Sequence, residues 1–381
     1  MMEKVVITGG DILTALGDLQ TTWKKINAGE SGLKRRNISS RDNVSSLYSA
    51  YPLGLIECLQ GQGGSWIRLQ FLLDQLLSTL PSLPENTSLF LATTKAAVDE
   101  LFIAESDQNG QPWHLADYLK EKLQLRGPAT TVSGACASGT LAVIQGAMAI
   151  SAGRCESALV IGVDMVADFI LAGFDSLKAL SPSIGRPFDR NRDGLSLGDG
   201  GGWLLMSSAK VAERAALPVL AGLEGWGITC DATHITAPCR SAGGLKLVLD
   251  QVFGSIGLPN SSDISNSKLG GINAHGTGTV YNDAMELLAF KEKCGCQIPI
   301  CSVKGAIGHT LGAAGVIETL LSIKSLHEMV LPPTVGLEEP ADGTNNLSGY
   351  NALPLLTPSI LSCNSGFGGI NAAVCLSHPQ L

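Results

Sequence analysis

A chain of 381 residues is long for one small domain and short for three, so it reads as two units or one large α/β body. Hydrophobic residues at 45% against charged residues at 16% supply a core and exclude global disorder. A net charge of −8 excludes the broad basic footprint that nucleic acid demands.

The start, MMEKVVITGG, lacks the apolar core of a signal peptide and reads as a first strand over Val5–Thr8. Further strand-like apolar runs follow at Leu89–Ala92, Ala158–Gly162, Gly202–Met206, Gly270–Ala274 and Ala372–Leu376, and they look like buried parallel strands. Helical stretches lie between them, notably Gly139–Ser151 and Gly312–Met329. The alternation predicts an α/β architecture with mostly buried sheets. Segments 40–65 and 104–113 are polar or glycine-broken and read as surface excursions, and 339–352 reads as a loop by its turn chemistry. No apolar run is long enough to span a membrane. The ten cysteines are scattered through a chain without an export signal, so reduced thiols and a cytoplasmic location are expected. Cys294 and Cys296 form a C-x-C pair, but no second pair of metal spacing accompanies it, so no metal is expected.

A weak internal repeat carries more information. Sliding the segment around Cys136 forward by 173 positions sets Cys136 on His309, Gly139 on Gly312, Val143 on Val316, Ile144 on Ile317 and Gln145 on Glu318. Both segments are small-residue turns leading into apolar helices. The glycine-rich turns Gly198–Gly202 and Gly366–Gly369 also fall at similar places. Two halves on one plan, 1–212 and 213–381, are therefore expected.

Cys136 sits in Thr-Val-Ser-Gly-Ala-Cys-Ala-Ser-Gly-Thr, between a short strand-like stretch and the helix pattern Leu141–Ile150. A thiol at a helix N-terminus meets unsatisfied N–H groups, which are expected to lower its pKa from about 8.5. Small neighbours leave room for an acyl group on sulfur. His275, in Asn-Ala-His-Gly-Thr-Gly-Thr, and His309, in Gly-Ala-Ile-Gly-His-Thr-Leu-Gly, each adjoin a glycine that allows close backbone approach. His114, His234, His327 and His378 lack such settings. Lys304 ends a strand-like Pro299–Val303, and Glu318 lies in an otherwise apolar helix where a carboxylate is costly unless paired. A Lys304–Glu318 pair accounts for both.

With these motifs the chain resembles the β-ketoacyl-[acyl carrier protein] synthases, condensing enzymes of fatty acid and polyketide assembly. The resemblance runs from Val5-Val-Ile-Thr-Gly9 almost to the C-terminus, through Gly173-Phe-Asp-Ser-Leu-Lys-Ala-Leu-Ser181, Arg186-Pro-Phe-Asp-Arg-Asn-Arg-Asp-Gly194, Ala274-His-Gly-Thr-Gly-Thr279, Ser302-Val-Lys304, Gly308-His309 and Gly366-Phe-Gly-Gly369. It implies a thiolase-like fold, two similar βαβαβαββ halves packed as an αβαβα layered body. It implies Cys136 as acylated nucleophile, His275 and His309 as the catalytic pair, and Lys304 and Glu318 as supporting ions. The N–H groups of Cys136 and Phe367 would form an oxyanion hole, with Phe367 also a gate. Thr277 and Thr279 match positions that contact the phosphopantetheine arm. An acyl carrier protein and a homodimer or heterodimer follow as partners, with no cofactor beyond the carrier-borne phosphopantetheine.

Arg186–Gly194 reads as structural, with a local ion network. Gly198–Gly202 precedes a strand rather than a helix and so fails as a phosphate loop. Lys34, Arg35, Arg36 and Arg41 are candidates for a basic patch facing an acidic carrier. Two departures from the family pattern stand out: 40–95 looks trimmed, and Asp199 stands where Glu is usual. The alternative function is a chain-length-setting or structural subunit paired with a separate synthase, which the retained Cys136, His275 and His309 disfavour. A degradative thiolase needs a second reactive cysteine near the C-terminus, and neither Cys363 nor Cys375 is convincing.

Overall fold

The apolar runs fold into strands that send alternate side chains into different cores, which is the period-two geometry of a sheet covered on both faces. A computed structural model describes residues 3–35, 47–84, 86–102, 110–257, 269–341, 346–349 and 351–379. The chain opens with β1 (Val5–Thr14), β2 (Gly17–Asp18) and α1 (Leu19–Asn27), the last capped by the Asp18 carboxylate on the Thr21 N–H at 2.8 Å. Next come α2 (Leu47–Ala50), α3 (Ser65–Leu77), β3 (Ser88–Ala92), α4 (Pro112–Lys122), β4 (Ala129–Val132), α5 (Ser138–Ser151), β5 (Ser157–Asp164), α6 (Asp168–Ser176), β6 (Gly200–Ser208) and α7 (Ala209–Arg214). Then follow β7 (Ala221–Cys230), α8 (Gly243–Ser255), β8 (Gly271–Asn273), α9 (Val280–Cys294), β9 (Ile300–Cys301), α10 (Lys304–Ile307) and α11 (Ala314–Glu328). A small pair, β10 (Val330–Leu331) with β11 (Leu353–Pro354), precedes β12 (Ser359–Gly366) and β13 (Ile370–Ser377).

Hydrogen bonding orders the main strands β4-β3-β5-β6-β1-β7-β13-β12-β8-β9. The strands from β4 to β1 and those from β9 to β7 follow one scheme: read from the edge inward, each run places its own third, second, fourth, fifth and first strand. The runs meet where Val5–Ile7 pairs antiparallel with Ala221–Leu223. Not all the buried strands are parallel, as their composition suggested. The segments Gly202–Met206 and Ala372–Leu376 lie in antiparallel strands. Helices cover both faces of each run, so a strand's direction leaves no mark on its apolar character.

Phe90, Val160, Leu204 and Met206 from one run, with Ile360 and Val374 from the other, close around α5 and α11. Leu89, Leu91, Leu159 and Trp203 face α3 and α4. Leu361, Cys363, Ala373 and Cys375 face α8 and α9. Helix, sheet, helix, sheet and helix therefore stack as the five αβαβα layers of a thiolase-like fold. Among the described residues no helix is long and apolar enough to cross a membrane.

The two central helices are the two copies of the sequence repeat, and they cross backbone against backbone. A Cβ on Gly139 would come 2.8 Å from the Gly315 nitrogen, and one on Gly315 would come 2.2 Å from the Thr140 nitrogen. Only glycine permits that approach. It draws the turn before α5, with Cys136, and the turn before α11, with His309, to one end of the crossing.

The described part of 40–65 is not a surface excursion. Tyr48, Leu53, Leu55 and Ile56 are buried. Tyr48, Leu53 and Leu55 belong to the apolar cluster that holds Cys136. Pro52 and Gly54 in this run read as turn signals and hide its burial.

Gly315→Ala is expected to destabilise the fold by about 1–3 kcal/mol through overpacking, whereas Gly173→Ala in α6 should be neutral or mildly stabilising. At Gly173 an added Cβ meets nothing within 4 Å. Urea unfolding of both variants checks the contrast, and equal losses would contradict the crossing.

Candidate active site

Three loops bring the chemistry together. Cys136 stands between β4 and α5, after Ala135, whose φ of 49° makes the turn left-handed. The Ser138 hydroxyl donates to the Ala135 carbonyl at 2.6 Å and accepts the Gly134 N–H at 2.9 Å, which braces the turn. His275 follows β8. Its N–H and that of Gly276 each donate to the Glu286 carboxylate at 2.7 Å, and the Thr277 N–H donates to Asp283 at 3.0 Å. His309 lies between α10 and α11, its N–H donating to the Ser196 carbonyl at 2.7 Å.

Ligand-type atoms of Cys136, His275 and His309 all lie within 4.8 Å of one another. All three residues are buried, and the imidazoles meet edge to face with centroids 5.2 Å apart. The Leu311 N–H donates to His309 Nδ1 at 3.3 Å, so that ring carries its hydrogen on Nε2. This Nε2 is buried and has no hydrogen-bond partner among the described residues. It is an unspent donor aimed into the chamber. The trio has the donor types of a thiol–imidazole metal site, but a protonated Nε2 donates rather than ligates.

Lys304 and Glu318 form the ion pair expected of them, with side chains 3% and 1% exposed. The ammonium donates to Glu318 Oε1 and to the His275 carbonyl oxygen. Glu318 Oε2 accepts from the Asn364 amide at 2.7 Å. Burial, then the Lys304 charge and His309, hold His275 well below the usual histidine range, and burial and Lys304 do the same for His309. Both rings are neutral at pH 7. Burial raises the Glu318 carboxyl against the pull of Lys304. Burial and neighbouring Asp283 push Glu286 up to about 8.

The thiol departs from the sequence expectation of a lowered pKa. Burial pushes Cys136 up to about 12, opposed by Lys304 and reinforced by Asp164 and Glu318. A helix end contributes about 0.3–1 kcal/mol. A rise from 9 to 12 amounts to about 4 kcal/mol, so burial wins.

Phe367, on the turn between β12 and β13, packs its ring 5.6 Å from that of Phe174. A Cβ on the preceding Gly366 would sit 3.1 Å from the Cys136 nitrogen, so this turn lies directly over the Cys136 backbone. The Thr277 and Thr279 hydroxyls are 2.9 Å apart. Phe367 and both threonines line one cavity of about 390 Å³ with Cys136, His275 and His309, and the same cavity reaches the exposed Lys178 and Tyr281. Among the basic candidates, Lys34 pairs by backbone with Leu53 and Arg35 donates to the Pro182 carbonyl. Neither lines the cavity, whereas Lys178 does. Arg36 and Arg41 lie outside the described residues. In the 186–194 segment Arg190 pairs at the surface with Glu339 at 3.4 Å, whereas Arg192 turns inward to the buried Asp283 at 3.8 Å.

The sequence reading passed over Asp283, Glu286, Asn364 and Asp164. The first two are spaced i,i+3 at the start of α9, directly after the glycine-rich loop they hold, and that spacing was the available signal. Asn364 is a lone amide in a buried strand. Asp164 ends β5 and gathers the Thr94 N–H at 2.9 Å, the Gly312 N–H at 2.8 Å and the Lys95 ammonium at 3.1 Å.

Comparison with known proteins gives the family. Family models described as "Beta-ketoacyl synthase, N-terminal domain" and "Beta-ketoacyl synthase, C-terminal domain" match residues 86–212 and 220–338. The chain is 27% identical over 416 residues to 3-oxoacyl-[acyl-carrier-protein] synthase 2 of Vibrio cholerae, covering 98% of each. It is 33% identical over 315 residues to the tetracenomycin polyketide synthase ketoacyl synthase alpha subunit of Streptomyces glaucescens, covering 78% of this chain and 70% of the relative. A solved ketosynthase in complex with its chain length factor, from Xenorhabdus doucetiae, superposes with a TM-score of 0.79 at 25% identity over 99% of this chain and 98% of that one. The chain belongs to the β-ketoacyl synthase family, the condensing enzymes of fatty acid and polyketide synthesis.

Alkylation of Cys136 by a small iodoacetamide-type reagent is expected to rise about tenfold per pH unit from pH 7 to 10 without levelling, since the thiolate is the reactive form. Mass mapping of the Cys136 peptide measures this. A plateau already reached at pH 7 would restore the lowered pKa.

Proposed function

We propose that the protein is a 3-oxoacyl-[acyl carrier protein] synthase that condenses an acyl thioester with a malonyl unit on acyl carrier protein and releases carbon dioxide. The observation that carries this reading is the single cavity that joins exposed Lys178 and Tyr281 to the buried Cys136, His275 and His309.

Cys136 sulfur attacks the acyl thioester carbonyl, its C–S bond forms, and the pantetheine sulfur leaves with the proton that Cys136 gives up. The backbone N–H groups of Cys136 and Phe367 receive the oxyanion. The arm of the malonyl carrier then enters past Phe367 along Thr277 and Thr279. The bond from the malonyl carboxylate to the α-carbon breaks, carbon dioxide departs, and the electron pair passes into the thioester as an enolate. His275 and His309 donate N–H bonds to the enolate oxygen. The enolate carbon attacks the acyl–Cys136 carbonyl, a C–C bond forms, the C–S bond breaks, and the departing Cys136 thiolate takes a proton from solvent water. Electrons balance within the two thioesters, so no redox or metal cofactor is required.

A second reading, a chain-length-setting subunit beside an active synthase, draws on the likeness to a ketosynthase solved with its chain length factor. The open route to the thiol favours the catalytic role, and a dimer with a second synthase-like chain is compatible with it.

Intact mass after exposure to an acyl carrier protein, alone and with a synthase-like partner, separates the two. An acyl adduct on the wild type and none on Cys136→Ala is expected, and no adduct under any pairing contradicts the enzyme reading. Carbon dioxide release from malonyl carrier should fall about 10²–10³-fold in His275→Ala and in His309→Ala, with unchanged rates removing the imidazoles from the reaction.

A further inference from the structure

We propose that Asn364 is a positioning residue that fixes the tautomer of His275 and so decides which ring nitrogen donates to the developing enolate, an inference that rests on the condensing reaction above. Asn364 lies in β12 and is completely buried. Its side chain has three polar neighbours. Oδ1 accepts from the Thr140 hydroxyl of α5, while Nδ2 is 2.7 Å from Glu318 Oε2 and 3.2 Å from His275 Nδ1.

The two ends of an amide have nearly the same shape, so chemistry must orient it. Glu318, paired with Lys304, can only accept, and the amide end facing it is therefore the NH₂. The other hydrogen of that NH₂ points at His275 Nδ1. Nδ1 must then accept, and the ring hydrogen resides on Nε2. A flip of the amide is opposed by Glu318, because it would set Oδ1 against a carboxylate; the Thr140 hydroxyl, which can donate or accept, adapts to that orientation by donating to Oδ1. Lys304 has a separate part. It bonds the His275 backbone carbonyl, which places the residue but leaves its proton free to choose a nitrogen. His309 obtains the same Nε2–H tautomer by another route, a backbone N–H at Nδ1. The two rings thus present like donors to one oxygen, and Asn364 is the side chain on which that match depends.

The test begins with the wild-type protein, labelled with ¹⁵N at histidine. The His275 signals, assigned by their loss in His275→Ala, should show a bare Nδ1 and a protonated Nε2. Asn364→Asp replaces the donor with an acceptor and should move the hydrogen to Nδ1. Asn364→Leu, close in volume, should leave the two tautomers mixed. Malonyl decarboxylation should fall about 10²–10³-fold in the aspartate variant and by less in the leucine variant, while acylation of Cys136 changes by no more than about threefold in either. A wild-type His275 protonated on Nδ1 would overturn the proposal without any variant, and so would wild-type decarboxylation in a folded Asn364→Leu. The wild-type spectrum needs no turnover, so failure of the wild type to decarboxylate malonyl carrier would count against the reaction and leave the tautomer to the nitrogen shifts.

Discussion

The buried ion pair between Lys304 and Glu318 is the interaction on which the chamber depends. Taking two charges out of water costs several kcal/mol each, and the loss is offset only when geometry is good and the remaining hydrogen-bonding capacity is used. Here Glu318 accepts on one oxygen from the ammonium and on the other from Asn364, while Lys304 also donates to the His275 carbonyl. The pair therefore holds the loop that carries the His275 ring. Its positive member disfavours a second positive charge nearby, which is one reason both imidazoles are neutral. A neutral imidazole can donate a hydrogen bond without giving up its proton, which suits an enolate better than general acid chemistry.

That pair would be idle without the crossing of α5 and α11. Backbone contact at Gly139 and Gly315 sets the two turns side by side, one bringing sulfur and the other an imidazole. The same strand scheme on either side supplies a matching frame, so a duplicated plan yields different chemistry at equivalent places. Thr140, one residue beyond the crossing, then ties α5 to Asn364 on β12 and through it to His275. Packing at the centre and proton placement at the site are thereby linked.

Most of the site was legible because each residue is chemically odd where it stands. A carboxylate in an apolar helix, a lysine closing a strand, and histidines flanked by glycine all require an explanation that burial and pairing provide. The central helices were legible for the same reason, since both are apolar nearly all round. Other features were not. The strands β7 and β12 are interrupted by glycines or by Ser, Cys and Asn, so they carry no continuous apolar run. The buried run Pro52–Ile56 is broken by a proline and a glycine that read as turn signals, so it shows neither a helical nor a strand period. Asn364 gives no signal until the partners at 140, 275 and 318 come together, because its meaning lies in contacts made across 224, 89 and 46 positions of chain. The thiol's environment misled for a related reason: local sequence reveals the helix end, while the burial that outweighs it comes from Tyr48, Leu171, Phe174 and Leu311, all distant in sequence.

The chemistry of the chamber depends on neutral imidazoles beside a buried charge. The rate of malonyl decarboxylation against pH tests that most directly. Rings held well below the ordinary histidine range leave the rate flat from pH 6 to pH 7, below the titration of Glu286 near 8. A rate that drops about tenfold per unit above pH 6.5, the ordinary imidazole range, would mean that imidazolium does the work and would contradict the account.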